Sequence, residues 1–311
     1  MTAVLYAIAV DHSSWNPALD HTYNRGFNIM RATQGTYYKD PKWAVNAEQA
    51  HDLYWAGEIV GAIAYHVYTN EDPAAQFRAL WAQIGSWRNY GPNRVPEWLL
   101  GIMHDVETWR GTSYALAGNH SSKINKLIGL NAAKMKSWNA CPWYGNQPDL
   151  AELYPTRDAR TWGVVAAYTS SIVISKVKGA RAQQYTDGQL KWPVPVVNGK
   201  PLPRSSPPFG RADHNYFPNF TPAKLRAFMR PDLPVARQPK PPPKPKPTPA
   251  PKPTPGGKVP YYKPRQDALV SADGKFAVFL RSDGRMDLRK QGHHVAWVDL
   301  TKTVPAVPPK K

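Results

Sequence analysis

The sequence predicts an α/β fold for residues 1–236, a TIM-like β/α barrel, followed by a Pro/Lys-rich linker over 237–258 and a small all-β module over 259–311. Three observations lead there. Apolar strand-like runs alternate with helical patterns along the first segment, which suits a barrel or an open doubly wound sheet. After the first run the chain reads "DHSSWNP", where an open dinucleotide-binding sheet would carry a glycine-rich phosphate turn. Acidic residues close several apolar runs, and the strand ends of a barrel are where its chemistry gathers.

Each element follows from local pattern. The opening "MTAVLYAIAV" lacks a basic leader region and a small-residue cleavage pattern, and it falls short of the roughly 18 apolar residues of a membrane span, so it reads as a first strand over 4–10. Strands are expected next at 27–33, 60–67, 98–106, 142–144, 163–168 and 182–185. Helices are expected at 41–55, 73–87 and 122–138; in the last, Ile124, Leu127, Ile128, Met135 and Trp138 keep helical spacing with Asn131 as one polar interruption. From Pro239 to Pro255, ten of 17 residues are proline and four are lysine, so nothing can be buried and an extended spacer of roughly 50 Å is expected. Beyond it, short apolar runs separated by Asp-Gly at 273–274 and 283–284 predict hairpins.

Composition narrows the chemistry. Cys141 is the only cysteine, which excludes an intrachain disulfide and a thiolate metal cluster; between Ala140 and Pro142, beside an expected strand, it reads as a buried structural thiol rather than as a nucleophile. Of the net charge of +18, +11 resides in residues 237–311, which hold 16 Lys/Arg against five Asp/Glu. Such a field favours polyanions: nucleic acid, an anionic membrane surface or acidic wall polymers.

The stretch "GIMHDVETW" places Asp105 and Glu107 two residues apart behind an apolar run. In an extended chain the two share a face and repel when both are ionised, so one tends to keep its proton. A general acid beside a fixed negative charge is the pairing that cleaves glycosidic bonds; a solvated loop or a divalent-cation site are the other readings of the motif. Asp11 ends the first run, and Asp213 in "RADHNYF" follows a Pro/Gly-rich loop and precedes the helix-start signal "TPAKL". Converging on one barrel face, the four acids would make a site. His66 and His104 read as hydrogen-bonded structural groups, no Cys/His spacing supports zinc, and neither a metal nor a cofactor is expected.

In chain order, from about residue 5 to 217, "AVDHSSWNP", "FNIMRATQGTYYKDPKWAVNAEQA", "AGEIVGAIAYHVY", "MHDVETW", "PWYGN", "AAYTSS", "QQYTDG" and "ADHNYF" together resemble the lysozymes of glycoside hydrolase family 25. The resemblance implies Glu107 as the general acid on the glycosidic oxygen. It implies Asp105 as the negative partner of an oxocarbenium-like state or of a ring formed by the substrate's N-acetyl group, and Asp11 and Asp213 as acids that tune the pair and orient sugar or water. Tyr65, Tyr144, Tyr168 and Tyr185 match family segments at strand ends and are the expected sugar-binding rings. Gln34 and Gln183 stand where relatives often have Glu and Trp, and the loop at 193–210 is longer than usual.

By that resemblance the protein is a phage-type endolysin, an N-acetylmuramidase cutting the β-1,4 bond between N-acetylmuramic acid and N-acetylglucosamine of peptidoglycan. It would be made in the host cytoplasm and reach the wall through a membrane lesion made by another protein, with no stable membrane anchoring and no nucleic-acid partner. The alternatives are a hydrolase of another N-acetylated glycan such as chitin, and a non-catalytic wall-binding or virion structural protein. The tail, "ALVSADGKFAVFLRSDGRMDLRKQGHHVAWVDL", resembles one repeat of the bulb-type mannose-binding lectins. At the lectin's sugar-binding places it reads Arg281, Asp283, Arg285, Asp287 and Arg289, so anionic wall polymers are its expected ligands. A module this small is also expected to self-associate.

Overall fold

Eight strands close into a barrel in the computed structural model, which describes residues 6–89, 91, 94–233, 268–270, 276–280, 285–290 and 293–299. The strands are β1 (Tyr6–His12), β2 (Asn28–Gln34), β4 (Ala62–Val67), β5 (Leu99–Asp105), β6 (Trp143–Asn146), β7 (Gly163–Ala166), β8 (Ala180–Thr186) and β13 (Asp213–Pro218), with the two-residue β3 (Tyr38–Lys39) hairpinned onto β2. From β1 to β8 each neighbour pairs in parallel, and β13 closes the ring antiparallel to both β8 and β1.

The direction of β13 fits the segment that leads to it. A parallel strand needs a crossover, usually a helix, that returns the chain to the starting end. Between β8 and β13 there is no helix, only two small hairpins, β9 (Val196–Val197) with β10 (Lys200–Pro201) and β11 (Ser205–Ser206) with β12 (Gly210–Arg211). The chain re-enters the barrel from the end at which β8 left it, so β13 runs antiparallel to both neighbours.

Helices α1 (Trp43–Ala56), α2 (Pro73–Ser86), α3 (Ser121–Met135) and α4 (Gln147–Leu153) follow β3, β4, β5 and β6. Their starts are encoded locally: Asp72 accepts from the Ala75 N–H ahead of α2 at 2.8 Å, and Asn146 from the Asp149 N–H ahead of α4 at 2.9 Å. α3 stops at Met135 because Lys136 turns left-handed (φ 56°), so Trp138 begins a separate 3₁₀ turn instead of ending the helix as its spacing suggested. Asn131, the polar interruption in that helix, is buried and bridges two elements, accepting from Trp81 Nε1 at 2.8 Å and donating to His104 Nε2 at 3.0 Å.

Inside the barrel, Ala7, Ala9, Ile29, Ile63, Met103, Val164, Ala182 and Phe217 form an apolar core. It is sealed at the N-terminal ends of the strands by α5 (Pro222–Met229), which contributes Leu225 and Met229. There Arg226 donates to the Val60 carbonyl at 3.0 Å and Arg230 to the Leu99 carbonyl at 2.6 Å. With that end plugged, the barrel opens only where the strands finish.

The chain divides into two compact units, Met1–Lys244 and Pro245–Lys311. In the second, β14 (Ala268–Val270), β15 (Phe276–Leu280), β16 (Arg285–Lys290) and β17 (His293–Asp299) form an antiparallel four-stranded meander. Arg285, Asp287 and Arg289 take alternate positions along β16. The Pro/Lys-rich linker, both Asp-Gly turns, Arg281 and Asp283 lie outside the described residues.

Candidate active site

Strand alternation continues the inward columns of the core upward into polar residues. Ala7 and Ala9 lead to Asp11, Ile29 to Arg31, Ile63 to Tyr65, Met103 to Asp105, and Ala182 to Gln184. Glu107 follows just past β5, Tyr144 lies in β6, Tyr168 follows β7, and Asp213 opens β13. All of them line one cleft of about 630 Å³ at the C-terminal ends of the parallel strands. The four sequence-predicted acids, Asp11, Asp105, Glu107 and Asp213, are thus brought together.

The acids sit in a poor environment for negative charge. Asp105 is only 7% exposed and its Oδ1 has no hydrogen-bond partner. Burial, followed by Glu107 and then Asp11, holds its carboxyl well above the usual carboxylate range, against the pull of Arg31. Asp11 is likewise held well above that range by burial and then Asp213. Burial, then Asp149 and Asp213, push Glu107 up to about 7, and burial with Asp187 pushes Asp213 up to about 7. Asp105 and Glu107 therefore give up their protons as an interacting pair, and the cleft keeps a proton donor near neutral pH.

Arg31 is the cation of the cleft, and it is fixed by other partners. Its Nε donates to Asp40 at 3.1 Å, its Nη2 to the Tyr38 hydroxyl at 3.1 Å, and its guanidinium lies 4.7 Å over the Tyr38 ring. Asp40 is itself buried and also accepts from the Ser14 N–H at 2.9 Å. The turn between β2 and β3 that makes this geometry needs Gly35: its φ is +52°, and a Cβ there would crowd the Glu71 carboxylate and the Thr69 hydroxyl.

Three of the four expected tyrosines, Tyr65, Tyr144 and Tyr168, line the cleft. Tyr144 and Tyr168 both donate to Gln184 Oε1, at 2.6 and 2.7 Å, so one amide carbonyl fixes two rings. Tyr185 does not reach the cleft. As the neighbour of Gln184 in β8 it points to the opposite face, where it is fully buried, packs with Ile8, Leu202 and Tyr216, and donates to the Pro203 carbonyl at 2.7 Å.

Gln34, noted in the sequence only as a departure from relatives, also lines the cleft, and other cleft residues escaped the sequence reading: Ser13, Trp15, Arg31, Tyr37, Tyr38, Met103, Trp109, Tyr114 and Gln184. Trp15 is 87% exposed at the rim, and Trp109 and Tyr114 meet edge to face at 5.8 Å. A charged Arg31 inside the apolar "FNIMRA" was the one local signal among them. His66 is hydrogen-bonded to Thr33 and Gln76, and His104 to Pro142 and Asn131; burial lowers both, to about 4 and about 3. Both are neutral structural groups, and no cluster that could hold a metal occurs among the described residues. Cys141 is buried and free, its thiol pushed up by burial.

No protein-family model matches this chain, and no curated protein matches it in sequence. Solved structures match it in fold. A family 25 glycosyl hydrolase from Bacillus anthracis aligns with a TM-score of 0.52 at 14% identity, over 74% of this chain and 95% of that one. A muramidase from Acremonium alcalophilum aligns at 0.50 and 18%, over 73% of this chain and 100% of that one. The chain has the barrel fold of the family 25 glycosyl hydrolases.

Proposed function

We propose that the barrel is a muramidase of the endolysin kind, which hydrolyses the β-1,4 bond between N-acetylmuramic acid and N-acetylglucosamine in peptidoglycan. The observation that carries this reading is the pairing, in a cleft of that fold, of a carboxyl pushed up to about 7 with a second, more buried carboxyl. Glu107 gives its proton to the glycosidic oxygen as the bond breaks. With the proton that the pair shares resting on Glu107, Asp105 is the ionised member, and its charge faces the positive charge that develops at the sugar ring. Asp11 and Asp213 keep the pair from ionising early and orient the sugar or water. The rings of Tyr65, Tyr144 and Tyr168 supply flat apolar faces for sugars, with Trp15 extending that surface at the rim.

The basic second unit is assigned to the wall, holding the enzyme near its substrate through acidic polymers. Among the described residues no helix is long and apolar enough to cross a membrane, which suits delivery through a lesion made by another protein. Mass spectrometry of digested peptidoglycan tests the reading. Fragments ending in reducing muramic acid are expected; free peptides, reducing glucosamine ends or an undigested wall would overturn it.

A further inference from the structure

Beyond the four acids of the cleft, a fifth carboxylate is built into the support of Glu107. Asp149 is buried in the first turn of α4, outside the cleft. Its Oδ1 accepts from the Thr108 hydroxyl at 2.9 Å; its Oδ2 accepts from the Thr108 N–H at 3.2 Å and from the Asn146 amide at 2.8 Å. The Thr108 carbonyl in turn accepts from the Leu116 N–H at 2.7 Å, so every polar group of Thr108 is engaged. On the other side of Glu107, the Val106 N–H donates to the Tyr144 carbonyl at 2.9 Å. Just beyond Thr108, Trp109 takes a left-handed backbone (φ 48°), a conformation costly for a bulky residue and kept only where the surroundings enforce it.

We propose that Asp149 is a positioning residue for Glu107: it clamps the next residue through backbone and side chain at once, and it sets a fixed negative charge behind the proton donor. The inference rests on Glu107 acting as the acid of the reaction proposed above. A backbone held on both sides of Glu107 limits where its carboxyl can travel, and small misplacements of a catalytic group are expensive. The groups facing Glu107 are Asp105 on β5, Asp11 on β1, Asp213 on β13, Asp149 on α4, and the hydroxyls of Tyr144 and Tyr168; Arg31 acts on Asp105 and Asp11. After burial, Asp149 is the first of these in raising Glu107. Sequence reading could not find it, because nothing in "NQPDLAEL" ties Asp149 to Thr108, a residue far earlier in the chain.

Two variants separate the clamp from the charge. Asp149→Asn removes the charge, and the titration of Glu107, followed by carboxyl carbon NMR in the full chain and assigned with Glu107→Gln, is expected to move down by about one pH unit. Activity of Asp149→Asn on soluble peptidoglycan fragments should then recover towards wild type as pH is lowered from 7 to 5. Thr108→Val keeps the charge and loosens the clamp: kcat should fall about 10-fold, with KM and the Glu107 midpoint held. An unmoved Glu107 midpoint in a folded Asp149→Asn, or a pH-independent deficit, would overturn the charge role. If Asp149→Asn does not fold, Thr108→Val decides, and unchanged kcat overturns the inference. Wild-type protein that cuts no glycan while its Glu107 still shifts in Asp149→Asn would sink the function and leave the electrostatic link to Glu107 standing.

Discussion

Asp11 and Asp213 are direct partners across the antiparallel pair of β1 and β13. Asp11 stands near the end of its strand and Asp213 at the start of its own, so they meet only because β13 runs against the others. Had β13 been parallel, a residue at its start would lie at the plugged end beside α5. The reversed strand thus does for the site what a helix crossover does elsewhere in the barrel. It delivers the last acid to the open end and leaves two carboxyls facing one another.

Burial, with Asp187 beside it, gives Asp213 a pH signature in stability. Asp213 titrates at about 7 in the folded chain against an ordinary 3.8, so between those values the folded state binds more protons than the unfolded one. Stability from this group is therefore present at low pH and is lost as pH rises through about 7. Asp213→Asn removes a charge that opposes folding, and above pH 7 it should raise the melting temperature by several degrees, with little change at pH 4. Thermal unfolding of both proteins across pH 4 to 8 checks this, and a pH-independent difference would count against it.

For Glu107 the same direction of shift is expected to govern activity. The donor form prevails below about 7 and is lost above it, so kcat should decline on the alkaline side of neutrality. Glu107→Gln keeps the shape and removes the proton, and a fall of about 10² to 10⁴-fold in kcat is expected with the fold intact by circular dichroism. Retained activity would take Glu107 out of the acid role.

Much of this arrangement was legible in the sequence. Buried parallel strands write themselves as apolar runs, and each of the seven expected strands overlaps an observed one. Asp105 and Glu107 stood out because charge directly behind such a run is unusual. The direction of β13 was not legible, because the irregular "PVPVVNGKPLPRSSPPFG" ahead of it carries no pattern that says at which end of the barrel the chain returns. Tyr185 and Gln184 show the other limit: adjacent residues of one strand face opposite ways, and only the register decides which enters the cleft.

The tyrosines turn that limit into a measurement. Tyr185→Phe loses a hydrogen bond to the Pro203 carbonyl and should cost about 1 kcal/mol of stability while leaving kcat/KM unaltered. Tyr144→Phe frees Gln184 from one of its two donors beside the acids and should lower kcat/KM several-fold at a similar cost in stability. Steady-state kinetics on soluble fragments, paired with denaturant unfolding, separates the two; equal kinetic effects would place Tyr185 in the site after all.

The basic tail supplies the last expectation. Residues 237–311 carry +11 of the net +18, and long-range attraction to an anionic wall is screened over roughly 8 to 10 Å at moderate salt. Truncation at about Arg237 should leave hydrolysis of soluble fragments nearly unchanged, because every cleft residue lies before that point. Binding to intact walls, and their lysis, should fall. Added salt should weaken wall binding of the full chain more than that of the truncated one, since the charge it screens is mostly in the segment removed. Equal wall binding by both proteins across a salt series would exclude the anchoring role, and binding that depends on the tail but ignores salt would point to a neutral sugar as its ligand.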